Sequence, residues 1–193
     1  FMRVLEVSFN LFEKKFQKIL VAWIVEKYCK NYNAIYEFGC GTAQNLVTIN
    51  EILPNISLHG LDWASSSQNI IQELNKQISL GCQYSKFDFF NPNYDIDLSH
   101  NDVVMTVTAL EQVGNNFEDF LSYLLAKKPG ICIHLEPIVE FLEPDSSMMD
   151  QLMFRYARER NYLNGYYTAL RKLEANKKID ILVSSIDISA SLI

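Results

Sequence analysis

Two glycines flank a single cysteine in Glu37-Phe38-Gly39-Cys40-Gly41, directly after a short apolar run. A ligand laid across such a turn comes close to the backbone, where a Cβ would obstruct it. The helix that follows offers amide groups to a carboxylate. Asp62 stands 21 residues beyond Gly41, where dinucleotide folds place the acidic residue that accepts ribose hydroxyls. Asp88 with Phe89, then Thr106, Thr108 and Glu111, then His134 and Glu136 follow, each group near the end of a further apolar run. This pattern suits a cofactor with a sugar and a carboxylate. Glu111, His134 and Glu136 are the candidate bases for a proton that an acceptor must lose.

Such residues converge only if the right elements carry them. Ser8 can cap a helix over 8–30, whose apolar positions Leu11, Phe12, Phe16, Leu20, Trp23 and Ile24 recur at helical spacing. Apolar runs predict strands at 34–36, 56–61, 82–87, 102–107, 131–135 and 179–183. Helices are expected at 42–53, 65–80 and 117–126, with Gly81 as a C-cap and a long helix running from Ser146 or Ser147 to about Ala175. Strands alternating with helices imply crossover connections and an α/β doubly wound, Rossmann-like, mostly parallel sheet with helices on both faces, preceded by an N-terminal helix. Ligands bind beyond the carboxyl ends of such strands. The expected organisation is one domain over 1–193: a helical segment at 1–31, a cofactor-binding core at 34–137, and an acceptor-side helix with a terminal strand at 138–193.

Composition narrows the class of partner. The chain has 193 residues and a net charge of −6, which argues against a protein that coats nucleic acid by neutralising phosphates. The densest basic group is Arg155, Arg158, Arg160, Arg171, Lys172, Lys177 and Lys178, which reads as a solvated helix face. Cys29, Cys40, Cys82 and Cys132 form no C-x-x-C pair, and Cys82 and Cys132 lie in apolar runs, as small core hydrophobes do. A reducing, cytoplasmic location is expected. No signal-peptide pattern opens the chain and no apolar run approaches a membrane span. The apolar N-terminal helix is suited to covering the site or to pairing in a homo-oligomer.

The ordered set of strand ends resembles the class I S-adenosylmethionine-dependent methyltransferase family. Tyr36-Glu37-Phe38-Gly39-Cys40-Gly41-Thr42 is similar to its first motif, and Leu58-His59-Gly60-Leu61-Asp62 to its second. Phe87-Asp88-Phe89 is similar to the third, and Asp102-Val103-Val104 through Leu110-Glu111-Gln112-Val113 to the fourth strand and the segment after it. The resemblance covers Tyr36 to Pro137 and implies S-adenosylmethionine as cofactor and methyl transfer as the activity. It implies a cofactor-binding set of Glu37, Gly39, Cys40, Gly41, Asn45, Asp62, Trp63, Asp88, Phe89 and Thr106. Glu37 would face the methionine end, Asp62 the ribose, Trp63 and Phe89 the adenine ring, Asp88 its amino group, and Thr106 the floor near the sulfonium. Gln112 stands where many members have His, and 179–193 is barely long enough for the family's terminal hairpin of a sixth and a seventh strand. His134-Leu135-Glu136-Pro137-Ile138 with the segment from Arg155 to Tyr166 is similar to methyltransferase-like proteins of bacterial surface-polysaccharide pathways.

Two other activities share these features. A nicotinamide-dependent oxidoreductase would carry Gly or Ala at the third fingerprint position, where this chain has Gln44. A non-catalytic S-adenosylmethionine-binding partner module would need no base. No Asn/Asp-Pro-Pro-Tyr/Phe motif follows the fourth strand, where Val107-Thr108-Ala109-Leu110 stands. A small-molecule or glycan acceptor is therefore expected, with no nucleic acid.

Overall fold

The computed structural model describes residues 9–143 and 145–184. A helix α1 (Phe9–Tyr28) leads into β1 (Ala34–Phe38), α2 (Gln44–Ile52), β2 (Ser57–Asp62), α3 (Ser65–Ile78) and β3 (Gln83–Lys86). Then come β4 (Asp102–Val107), a 3-10 turn (Leu110–Val113), α4 (Glu118–Lys127), β5 (Ile131–Leu135), a second 3-10 turn (Val139–Phe141), α5 (Met148–Glu159) and α6 (Tyr166–Ala175). The five strands form one sheet in the order β3-β2-β1-β4-β5, and every pairing is parallel.

Burial explains the sequence of each strand. β1 and β4 lie at the centre and every residue in them is buried, so they read as mostly apolar runs. One face carries Ala34, Tyr36, Phe38 and Val104, packed on Phe120 and Tyr123 of α4 and Tyr166 of α6. The other carries Ile35, Val103 and Met105, packed on Val21 and Val25 of α1, Leu46 and Ile49 of α2 and Ile71 of α3. The chain steps outward from β1 to β3 and then returns beside β1 as β4. That reversal opens a crevice where the carboxyl ends of β1 and β4 diverge.

Four expectations are corrected. The long helix over 146–175 is two helices, parted at Asn161 (φ 51°) and Gly165 (φ 84°). Between them Leu163 is fully buried and its carbonyl accepts from the Val139 amide. The strand at 179–183 does not form; those residues have no regular structure, and Leu182 and Val183 are exposed. The left-handed residue that ends α3 is Ser79 (φ 53°), with Gly81 two residues further on. Cys82 is buried as expected, but Cys132 is exposed on β5. The Ser8 cap and the hairpin beyond Ser184 fall outside the described residues. Among those residues no helix is long and apolar enough to cross a membrane.

Candidate functional site

A cleft of about 590 Å³ lies at the carboxyl ends of the strands, within the size range of roughly 300–1,000 Å³ typical of ligand sites. The turn after β1 forms one wall. Gly39 and Cys40 donate their amides to the Leu61 carbonyl at 2.7 and 3.0 Å, which ties the turn to the end of β2. At Gly39 an added Cβ would lie 2.3 Å from the Ala109 Cβ. This glycine therefore serves the approach of the segment after β4. Gly41 (φ 51°) has open space where its Cβ would be, so it is the glycine with room for a ligand over it.

Asp62 closes the second side. Its Oδ2 accepts from the Gly41 amide at 2.8 Å and its Oδ1 from the Ala64 amide at 2.9 Å. Each oxygen keeps acceptor capacity for a further donor, and the two amides fix its orientation. Trp63, 74% exposed, stands on the rim. Asp88 turns back to accept from the Phe90 amide at 2.9 Å, and Asp88, Phe89 and Phe90 all line the cleft. No side chain caps α2, and Thr42, Gln44 and Asn45 at its start face the same space.

A relay of polar side chains runs inward from α1. Gln17 Nε2 donates to Asn45 Oδ1 at 3.3 Å, and Asn45 Nδ2 donates to Glu37 Oε1 at 2.6 Å. Gln17 and Asn45 line the cleft; Glu37 lies behind them, 1% exposed. Its Oε2 has no hydrogen-bond partner among the described residues. Burial drives the carboxyl pKa up to about 8, opposed by the Asn45 bond and reinforced by the nearby Asp62 charge.

The far wall is the segment Val107-Thr108-Ala109 with Gln112 and Val113. Thr108 holds φ 49°, a left-handed conformation that costs a β-branched residue about 1–3 kcal/mol. Behind this wall stand the remaining sequence-predicted residues. Thr106 is fully buried, and its Oγ1 meets His134 Nδ1 at 2.9 Å. His134 Nε2 meets the Tyr166 hydroxyl at 3.1 Å, so both ring nitrogens are occupied. Desolvation lowers the imidazole pKa to about 4. The Glu136 carboxylate accepts from the Ala109 amide at 3.1 and 3.2 Å and from the Glu111 amide at 3.0 Å. Glu111 is buried; desolvation first, then the Glu136 charge, raise its pKa to about 7, while a bond from Tyr162 lowers it.

The structure thus brings Gly39, Cys40, Gly41, Asn45, Asp62, Trp63, Asp88 and Phe89 onto one cleft. Glu37, Thr106, Glu111, His134 and Glu136 are not in its lining. Gln17, Phe90, Ala109 and Val113 line it without having been singled out from sequence. Gln17 carried no signal, being one polar residue on a long amphipathic helix. Ala109 carried an indirect one, since Gly39 needs a partner that approaches closely.

No family model matches the chain, and no curated protein matches it in sequence. Solved structures do match. The plantazolicin methyltransferase in complex with a monoazolic desmethylPZN analog and S-adenosylhomocysteine (SAH) aligns over 92% of this chain and 72% of its own, at 15% identity and a TM-score of 0.60. The same enzyme with SAH aligns over 87% of this chain and 66% of its own, at 18% identity and a TM-score of 0.58. An O-methyltransferase from a trans-AT PKS multienzyme of Brevibacillus brevis, in complex with SAH, aligns over 67% of this chain and 45% of its own, at 14% identity and a TM-score of 0.53. The chain therefore spans about two thirds to three quarters of the first enzyme and under half of the second. At such identities the likeness is one of fold. The switch-point cleft, the parallel sheet and these alignments agree: the chain has the fold of the class I S-adenosylmethionine-dependent methyltransferases.

Proposed function

We propose that the chain binds S-adenosylmethionine in this cleft and methylates a small-molecule or glycan-type acceptor. The observation that carries the reading is the charge of the lining: it holds Asp62 and Asp88, and no Lys or Arg among the described residues. Such a wall suits a ligand that bears cationic groups and hydroxyls, and it offers no side-chain cation to a pyrophosphate. Gln44 at the third fingerprint position points the same way. Two of the solved enzymes with this fold are, by name, a plantazolicin methyltransferase and an O-methyltransferase from a trans-AT PKS multienzyme, which supports an acceptor of small-molecule type.

The residues present fit this cofactor. Open space over Gly41 leaves room for it, and the orphaned Glu37 Oε2 is an unmet buried polar atom beside Asn45. Asp62 would hold the ribose hydroxyls with the lone pairs its two amide donors leave free. Trp63 and Phe89 would flank the adenine and Asp88 would accept from its amino group. Gln17, Asn45 and Glu37 would hold the methionine end. When bound, S-adenosylmethionine supplies a methyl group on an activated sulfur leaving group. The chain's own work is to orient the reactants and exclude water. Of the three candidate bases Glu111 fits best, with a pKa of about 7 and a place in the chain directly before Gln112 of the wall.

Calorimetric titration with SAH tests the reading. Wild type should bind, and Asp62→Ala should bind at least about tenfold more weakly, the loss of a charge-assisted hydrogen bond or two. Equal affinity in both, or binding of a nicotinamide dinucleotide in place of SAH, refutes it.

A further inference from the structure

We infer that Glu136 is a positioning residue, whose carboxylate pins the backbone after β4 against Gly39 and so shapes the cleft wall. The inference rests on the proposed cofactor site for its binding arm only. Two backbone amides converge on this one side chain: Ala109 lies within reach of both carboxylate oxygens and Glu111 of one. Both belong to the single turn that follows β4. No other side chain bonds those amides among the described residues. The turn they hold is the unusual part of the wall. It begins at Thr108, left-handed at φ 49°, and it presents the Ala109 Cβ 2.3 Å from where Gly39 would carry its own.

Behind the Glu136 strand end lies a second polar series: Thr106 Oγ1 meets His134 Nδ1 at 2.9 Å, and His134 Nε2 meets the Tyr166 hydroxyl at 3.1 Å. Desolvation favours the neutral imidazole there. This series joins α6 through β5 to β4, while the Glu136 carboxylate is held by the Ala109 and Glu111 amides. Glu136 therefore fixes the distance between the glycine turn that would carry the cofactor and the segment from Thr108 to Val113 that would face an acceptor.

Amide hydrogen exchange resolved by peptide, with SAH titration as a second arm, tests this. In wild type, peptides covering 107–113 should exchange slowly; fast exchange there overturns the inference without any variant. Glu136→Gln keeps the size but offers one acceptor oxygen and turns an amide group toward the backbone donors. It should speed exchange in 107–113 while β1 and α3 keep wild-type protection, and weaken SAH binding by about tenfold. Glu136→Asp, which keeps the charge, should lie between the two, and it carries the comparison if the Gln variant does not fold. Unchanged exchange in 107–113, or an equal loss of protection throughout the chain, overturns the inference. Absence of SAH binding by wild type would defeat the proposed function, while the exchange result would still decide the role of Glu136.

Discussion

Glu37 shows how a single side chain can set the pH response of the fold. One oxygen has Asn45 and the other has no partner among the described residues, and burial makes the group keep its proton, with a pKa of about 8 against 4.5 in the open. Between those values the folded chain holds a proton that the unfolded chain has released. Stability from this group is complete below the unfolded carboxyl range and is lost as pH rises through about 8. Wild type should therefore melt at a lower temperature at pH 9 than at pH 6. Glu37→Gln, permanently neutral, should shrink that difference, as thermal melts at the two pH values would show. An undiminished difference in the variant would mean that the slope comes from elsewhere. His134 contrasts with it. Both of its ring nitrogens have partners, which suits a neutral structural group and leaves no free lone pair for an acceptor.

The elements show which parts of the sequence speak for themselves. β1 and β4 were legible because a central parallel strand is mostly apolar and has no competing period, and β5, at the sheet edge, because its apolar run follows the Pro129-Gly130 break. The break between α5 and α6 was not. Both helices are amphipathic and keep a helical spacing, and the left-handed residue that parts them first is Asn161, not a glycine. What fixes it is tertiary: Leu163 is fully buried, and an added Cβ on Gly114 would meet Asn161 Nδ2 at 2.4 Å. The strand expected at 179–183 failed for a related reason, since apolar composition cannot supply a neighbouring backbone. Gly60 in β2 gives an element-level test. An added Cβ there would sit 2.5 Å from Ile71 Cδ1 of α3 and 3.0 Å from Leu46 Cδ1 of α2. Gly60→Ala should destabilise the fold by about 1–3 kcal/mol through overpacking, measured by denaturant unfolding. A midpoint equal to wild type would show that both helices shift freely on the sheet.

Across the whole molecule, the cleft joins α1 to segments from four strand ends, Gln17 at one extreme and Val113 at the other. Sequence placed most of this set because each strand end announces itself by a glycine or a polar residue after an apolar run. It did not separate residues that face the cleft from those that face the helices. Thr106 shares the parity of Val104, so it points into the layer that holds Tyr166, although its neighbour Val107 lines the cleft. The chain carries two tryptophans. Trp63 is at the cleft rim and 74% exposed, and Trp23 is 46% exposed on α1. An indole so open to water emits at long wavelength, and a ligand ring laid beside it alters that emission. Titration with SAH should thus quench or blue-shift the intrinsic fluorescence. The change should survive Trp23→Phe and largely vanish in Trp63→Phe. The protein then carries its own optical gauge of occupancy, one that can be read with any candidate acceptor in the cuvette before its product is known.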